Sequence, residues 1–104
     1  MIPFRTTRYA KQDLRSIVRY TIDNWGKTQA AAYVELISLA YQSIAANPFL
    51  LGSKSRDDLA SRCRTFRCGK HVIFYRLRND TVEIARILHE SMDFPKHVGE
   101  TSFD

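Results

Sequence analysis

The chain has only two cysteines, Cys63 and Cys68, and that scarcity excludes a disulfide-stapled scaffold. They stand five residues apart in a segment that reads as one strand, so their side chains point to opposite faces, out of disulfide reach. Neither has histidine or cysteine partners at zinc spacing, so no metal site is expected and both are read as reduced thiols. Four glycines and three prolines in 104 residues are too few for a low-complexity or collagen-like chain. No apolar run approaches the roughly 20 residues that span a bilayer. The opening MIPFRTTRYAKQ carries no apolar signal-peptide core, so a cytoplasmic protein without membrane association is expected. A glycine-rich phosphate loop, a locatable Ser/His/Asp set and paired carboxylates are all missing. An independent enzyme is therefore disfavoured, and no cofactor is expected.

What the sequence does contain is a single folded domain, residues 1–104. With 44% hydrophobic and 26% charged residues it is far from the disordered class. The charge is unevenly placed. Between Lys54 and Arg86, the cations Lys54, Arg56, Arg62, Arg64, Arg67, Lys70, Arg76, Arg78 and Arg86 face only Asp57, Asp58, Asp80 and Glu83, which accounts for the formal +5. A pI near 9.5 favours acidic partners, whether nucleic acid, an acidic protein or an anionic surface, without choosing among them.

Hydrophobic periodicity sets the element order. Ile2 to Thr6 reads as a short strand and Thr7 as an N-cap. Ala10, Leu14, Ile17, Val18, Ile22 and Trp25 then trace one apolar stripe at the helical period, with Lys11, Arg15 and Arg19 on the wet side. Gly26 stops this helix because it adopts a positive φ without a Cβ clash. A second helix runs from Lys27 or Thr28 to about Asn47, ended by Pro48, and buries Ala30, Tyr33, Val34, Ile37, Ala40, Tyr41, Ile44 and Ala45. So short a break predicts an antiparallel hairpin.

Residues 48–56 read as a loop. Three strands follow, near Arg62–Arg67, His71–Arg78 and Thr81–Leu88, separated by the turn signals Gly69-Lys70 and Asn79-Asp80. The remainder reads as irregular, a C-terminal tail from about residue 94. The predicted fold is α+β, in the order β-α-α-β-β-β, with the helix hairpin packed on one face of a small, mainly antiparallel sheet. The run from His71 to Leu77 is apolar at nearly every position, which calls for a cover on the second face as well. Either another chain or the strand ends and tail would supply it.

The words along the chain resemble the ParE toxins of the RelE/ParE toxin–antitoxin superfamily. Ala10 with Asp13-Leu14, Tyr20-Thr21, Trp25-Gly26, Gln29, Tyr33 and Asn47-Pro48 carry the helical half of the resemblance. Arg64 and Phe66, Gly69 with His71-Val72-Ile73-Phe74-Tyr75, Ile87-Leu88-His89 and Met92-Asp93 carry the sheet half. The resemblance implies a bacterial toxin component of a type II system, associated with plasmid stabilisation. Such a toxin would be neutralised in a hetero-oligomer by a ParD-like antitoxin, and would poison DNA gyrase and block DNA replication without chemistry of its own. It would not bind nucleic acid sequence-specifically by itself.

The antitoxin would wrap an acidic and apolar segment over the hairpin and the basic sheet. Candidate antitoxin- or target-binding residues are then Tyr20, Trp25, Tyr33, Arg62, Arg64, Arg67, Arg76, Arg86 and His89. The alternative is a RelE-like ribosome-dependent mRNA endonuclease. It would need a base for the ribose 2′-hydroxyl and cations for the phosphate, and His89 with Arg64, Arg76 and Arg86 would have to converge.

Overall fold

The computed structural model describes residues 2–101. The first strand is shorter than expected: β1 covers Phe4–Thr6, because the Ile2 N–H is bonded to the Ala45 carbonyl at the end of the second helix. Thr7 caps the first helix, α1 (Arg8–Trp25), by accepting the Ala10 N–H. Gly26, at φ 90°, is the single residue between it and α2 (Lys27–Ala46). The apolar stripe of α1 thins toward its end. Ala10 and Ile17 are buried, but Ile22 is 37% exposed and Trp25 lies largely in solvent, so Trp25 is not the core residue its spacing predicted.

The two predicted hairpins form β3 (Arg64–Cys68), β4 (His71–Arg78) and β5 (Thr81–His89). β3 starts two residues late, since Arg62 sits in the left-handed region at φ 61° and cannot extend the strand. The segment read as a loop contributes one more strand, β2 (Lys54–Ser55), paired antiparallel to β3. The sheet order is β1-β5-β4-β3-β2, antiparallel except for the parallel pair β1–β5. A bulge between Phe74 and Tyr75 of β4 shifts the register on β5: Tyr75 faces Ile84 but Phe74 faces Arg86, which leaves Ala85 as the extra residue.

The helices cover one sheet face. Ile37, Ile44, Ile73, Tyr75, Ile84 and Ile87 form that core, and each buried aliphatic side chain stabilises it by about 1.5–3 kcal/mol. The bulge keeps Ile84 and Ile87 on this same face despite their odd spacing. The second face is covered from within the chain, by a helix at the position expected to be irregular. In α3 (Phe94–Gly99) the side chain of Asp93 accepts the Lys96 N–H as N-cap, Pro95 occupies the first turn, and Val98 is buried against Cys63, Phe74 and Leu88. Cys63 and Cys68 therefore lie in separate cores on opposite faces, both as free thiols. Burial raises the Cys63 thiol to about 11 and shifts Cys68 in the same direction.

Candidate functional site

At the turn end of the helix hairpin, the start of β4 meets the end of β5. Because of the bulge, His71 stands directly opposite His89, their rings edge-to-face with centroids 5.4 Å apart. Two cavities open on either side of this pair, and both histidines line both. One, of about 340 Å³, is walled by Thr21, Trp25, Gln29, Tyr33 and Lys70. The other, of about 450 Å³, is walled by Ser16, Ile17, Tyr20, Ser91 and Met92 among others. Together they form a groove rimmed by exposed side chains: Trp25 is 70% exposed, Tyr20 66% and Met92 45%. Such rigid, partly apolar groups at a groove edge are typical anchors for a protein partner.

Hydrogen bonds hold both rings in place. The Tyr33 hydroxyl lies 3.2 Å from the Cys68 carbonyl and 2.6 Å from His71 Nδ1. His89 Nδ1 accepts the Ser91 backbone N–H at 3.1 Å and lies 2.7 Å from Ser91 Oγ. Burial, then the neighbouring His89, lowers the His71 pKa from its ordinary 6.5; burial raises that of Tyr33. Gly69 makes the arrangement fit. A Cβ on it would lie 2.8 Å from the Tyr33 hydroxyl, and its φ of 60° suits the two-residue turn into His71.

Of the candidate residues, Tyr20, Trp25, Tyr33 and His89 are brought together here, and the arginines are not. Arg67 is bonded to Gly69 O and to Glu90 at 3.1 Å. Arg76 pairs at 3.0 Å with Glu83, a fully buried carboxylate that Arg5 also engages. Arg86 forms a two-bond pair with Asp13 at 2.8 and 2.9 Å, and its remaining nitrogen reaches His97 O and Thr101 Oγ1. Arg64 stacks over Phe49 at 4.8 Å and bonds to Ser53, and Arg62 is exposed in the β2–β3 connection. Register sets Arg67, Arg76 and Arg86 on the face under α3, while Arg64, His71 and His89 share the helix-covered face. Arg76 and Arg86 therefore do not converge with His89, and Arg64, although on its face, stands opposite Tyr75 rather than His71; the cation beside the histidines is Lys70. Among the described residues, no group of three or more metal-ligating side chains occurs, and no helix is long and apolar enough to cross a membrane.

A third cavity, about 790 Å³, runs along α1 between the apolar Leu14, Val18, Ile22 and Val34 and the charged Lys11, Arg15, Arg19 and Asp23. Sequence reading placed those cations on the wet side of the helix but did not show that an apolar trough lies beside them. His71, Gln29, Lys70 and Met92 were likewise not among the predicted binding residues. The opposition of His71 and His89 depends on the bulge, because the unbroken register from the Asn79-Asp80 turn would set His71 against Leu88.

Comparison with known proteins agrees with this architecture. Residues 4–94 match the family model for the ParE toxin of type II toxin–antitoxin system, parDE. The chain is 37% identical over 99 residues to toxin ParE1 of Caulobacter vibrioides, covering 95% of this chain and all of that one. It is 33% identical to toxin ParE of Escherichia coli, with 89% of each chain covered, and 31% identical to toxin ParE1 of Mycobacterium tuberculosis, covering 86% of this chain and 90% of that one. Among solved structures, the fold is shared with a chain of the chromosomal ParDE TA system from P. aeruginosa. That match has a TM-score of 0.71 at 22% identity, covering 86% of this chain and 96% of that one. A chain of the RelBE2 toxin–antitoxin complex from Mycobacterium tuberculosis matches with a TM-score of 0.58 at 24% identity, over 85% and 96% of the two chains.

Proposed function

Since the chain belongs to the ParE toxin family of type II toxin–antitoxin systems, we propose that it poisons DNA gyrase in the bacterial cytoplasm and is neutralised by a ParD-like antitoxin. In this reading the toxin catalyses nothing. It stabilises the cleaved gyrase–DNA complex by binding, and so blocks replication. The observation that supports binding over catalysis is the separation of Arg76 and Arg86 from the histidines, which share their groove with Lys70. Cleavage of mRNA needs a base and a phosphate-stabilising cation around one reacting centre. Here Arg76 and Arg86 lie on the sheet face opposite His71 and His89 and are held by Glu83 and Asp13.

The antitoxin's place is then the hairpin. The trough along α1 joins apolar walls to three cations against one carboxylate, Asp23, which suits an acidic amphipathic segment, and the histidine groove with Trp25 and Tyr20 offers a second surface on the hairpin. Incubation of the purified chain with gyrase, ATP and supercoiled plasmid is expected to give linear, protein-linked DNA, and addition of antitoxin to abolish it. Intact plasmid in the presence of folded, antitoxin-free protein, together with codon-positioned mRNA cuts after induction in cells, would replace this reading with the nuclease one.

A further inference from the structure

His71 and His89 form a cross-strand pair whose spacing matches that of two imidazoles on one metal ion. An imidazole nitrogen binds zinc at about 2.0–2.1 Å and its ring centre lies roughly 1.2 Å further out, so two such rings on a tetrahedral ion have centres about 5.3 Å apart. The two ring centres here are 5.4 Å apart, with the planes at 89°. Strand pairing sets this separation, since His71 opens β4 directly opposite His89 at the end of β5. Sites held by paired strands keep their geometry better than sites on loops.

The surroundings leave the same nitrogen open on each ring. His71 Nδ1 lies 2.6 Å from the Tyr33 hydroxyl and His89 Nδ1 2.7 Å from Ser91 Oγ. Among the described residues neither Nε2 has a hydrogen-bond partner. A histidine that ligates through Nε2 carries its proton on Nδ1 and needs an acceptor there, which either hydroxyl oxygen can be. At His89 this exchanges the 3.1 Å bond from the Ser91 N–H for one donated to Ser91 Oγ. Asp13 and Glu90, though each is paired with an arginine, both favour positive charge at His71. Asp13, Ser91 and Met92 wall one of the two cavities beside the pair, whereas Lys70 is exposed on the other, so a cation is better placed on the Asp13 side.

We infer that His71 and His89 together bind one divalent transition-metal ion of the imidazole-preferring class, zinc, nickel or copper, through their Nε2 atoms. Two side chains do not complete a coordination shell, so water fills the remaining positions and the site stays open to the groove. Copper binds most tightly in this series, and magnesium, which takes oxygen ligands, is not held. The ion clamps the start of β4 to the end of β5 and so stabilises the folded chain. This metal site does not depend on gyrase being the target.

The test uses the purified, tag-free whole chain, titrated with zinc chloride and separately with copper(II) chloride in a calorimeter. One ion per chain is expected. Free metal about 100-fold above Kd should raise Tm by roughly 5–10 °C, and magnesium chloride should leave it unchanged. In NMR spectra with zinc the ring resonances of His71 and His89 and the Ser91 amide should shift together. His71→Gln and His89→Gln should each weaken binding by about tenfold or more, and the double variant little further, because losing either ring breaks the chelate. His97→Gln removes the third histidine of the chain and should leave binding intact. Binding that survives both single variants, or that is lost with His97, overturns the site. So does wild-type protein whose His71 and His89 resonances do not respond to zinc, a result that stands even where a variant fails to fold.

Discussion

Gly69 occupies the one turn where both backbone and space require its missing side chain. A methyl group there would be strained at φ 60° and would press on the Tyr33 ring, with contacts of 2.8–2.9 Å. Gly69→Ala is therefore expected to cost about 2–3 kcal/mol in urea unfolding and to displace Tyr33 from His71, visible as a shift of the His71 ring resonances. His71 itself ties stability to pH. Its folded pKa lies below the ordinary 6.5 of the unfolded chain, so on acidification the unfolded state takes up a proton first. Stability is full above about pH 6.5 and declines below it; replacing His71 with Gln should flatten that decline in unfolding curves between pH 5 and 7.5. The groups facing His71 that set this slope are His89, Asp13 and Glu90, with the Tyr33 hydroxyl on its Nδ1. Arg86 is the residue whose role the structure most changes. Its pair with Asp13 is only 12% and 14% exposed and joins α1, β5 and α3. Arg86→Met is expected to cost about 2–3 kcal/mol by leaving Asp13 uncompensated, and the double variant with Asp13→Asn should recover part of it.

Among the elements, α3 decides how the second sheet face is closed. Introducing a carboxylate at Val98 should undock this short helix and expose Phe74 and Leu88. The expected loss is about 2–4 kcal/mol in denaturant unfolding, together with binding of a hydrophobic dye. The sequence makes some elements legible and hides others for physical reasons. Both long helices follow from periodicity, the Thr7 cap, Gly26 and Pro48, and β4 from its dense apolar run between two turns. α3 is too short for periodicity to register, although Asp93 and Pro95 did mark its start. β2 is two residues long and exists only because β3 offers it an edge. The Asp13–Arg86 pair spans 73 positions and the bulge at Ala85 has no local signature, so neither Arg86's structural duty nor the meeting of His71 with His89 was readable. What remained legible of the groove was its aromatic rim, Tyr20, Trp25 and Tyr33.

At the scale of the whole molecule, net charge and the placement of surfaces govern association. A formal +5 with cations along α1 and the sheet predicts electrostatic steering of an acidic antitoxin segment. Raising salt from 50 to 500 mM should slow its association about tenfold or more while changing dissociation much less, as measured by stopped-flow fluorescence of Trp25. In the proposed complex the apolar trough and the histidine groove would set the residence time, since truncating buried anchors acts chiefly on dissociation.

The parallel pairing of β1 with β5 also has a consequence in time. β1 is made before both helices, yet its partner lies 78 residues downstream, as the Arg5–Glu83 contact shows. At roughly 5–20 residues per second that interval is on the order of ten seconds. During it both helices are complete, but β4 and β5, which supply His71 and His89 to the groove, have yet to be made. A chain stalled or cut short before β5 therefore carries Trp25 and Tyr20 on a bare hairpin, and only a chain that includes β5 has the histidine groove.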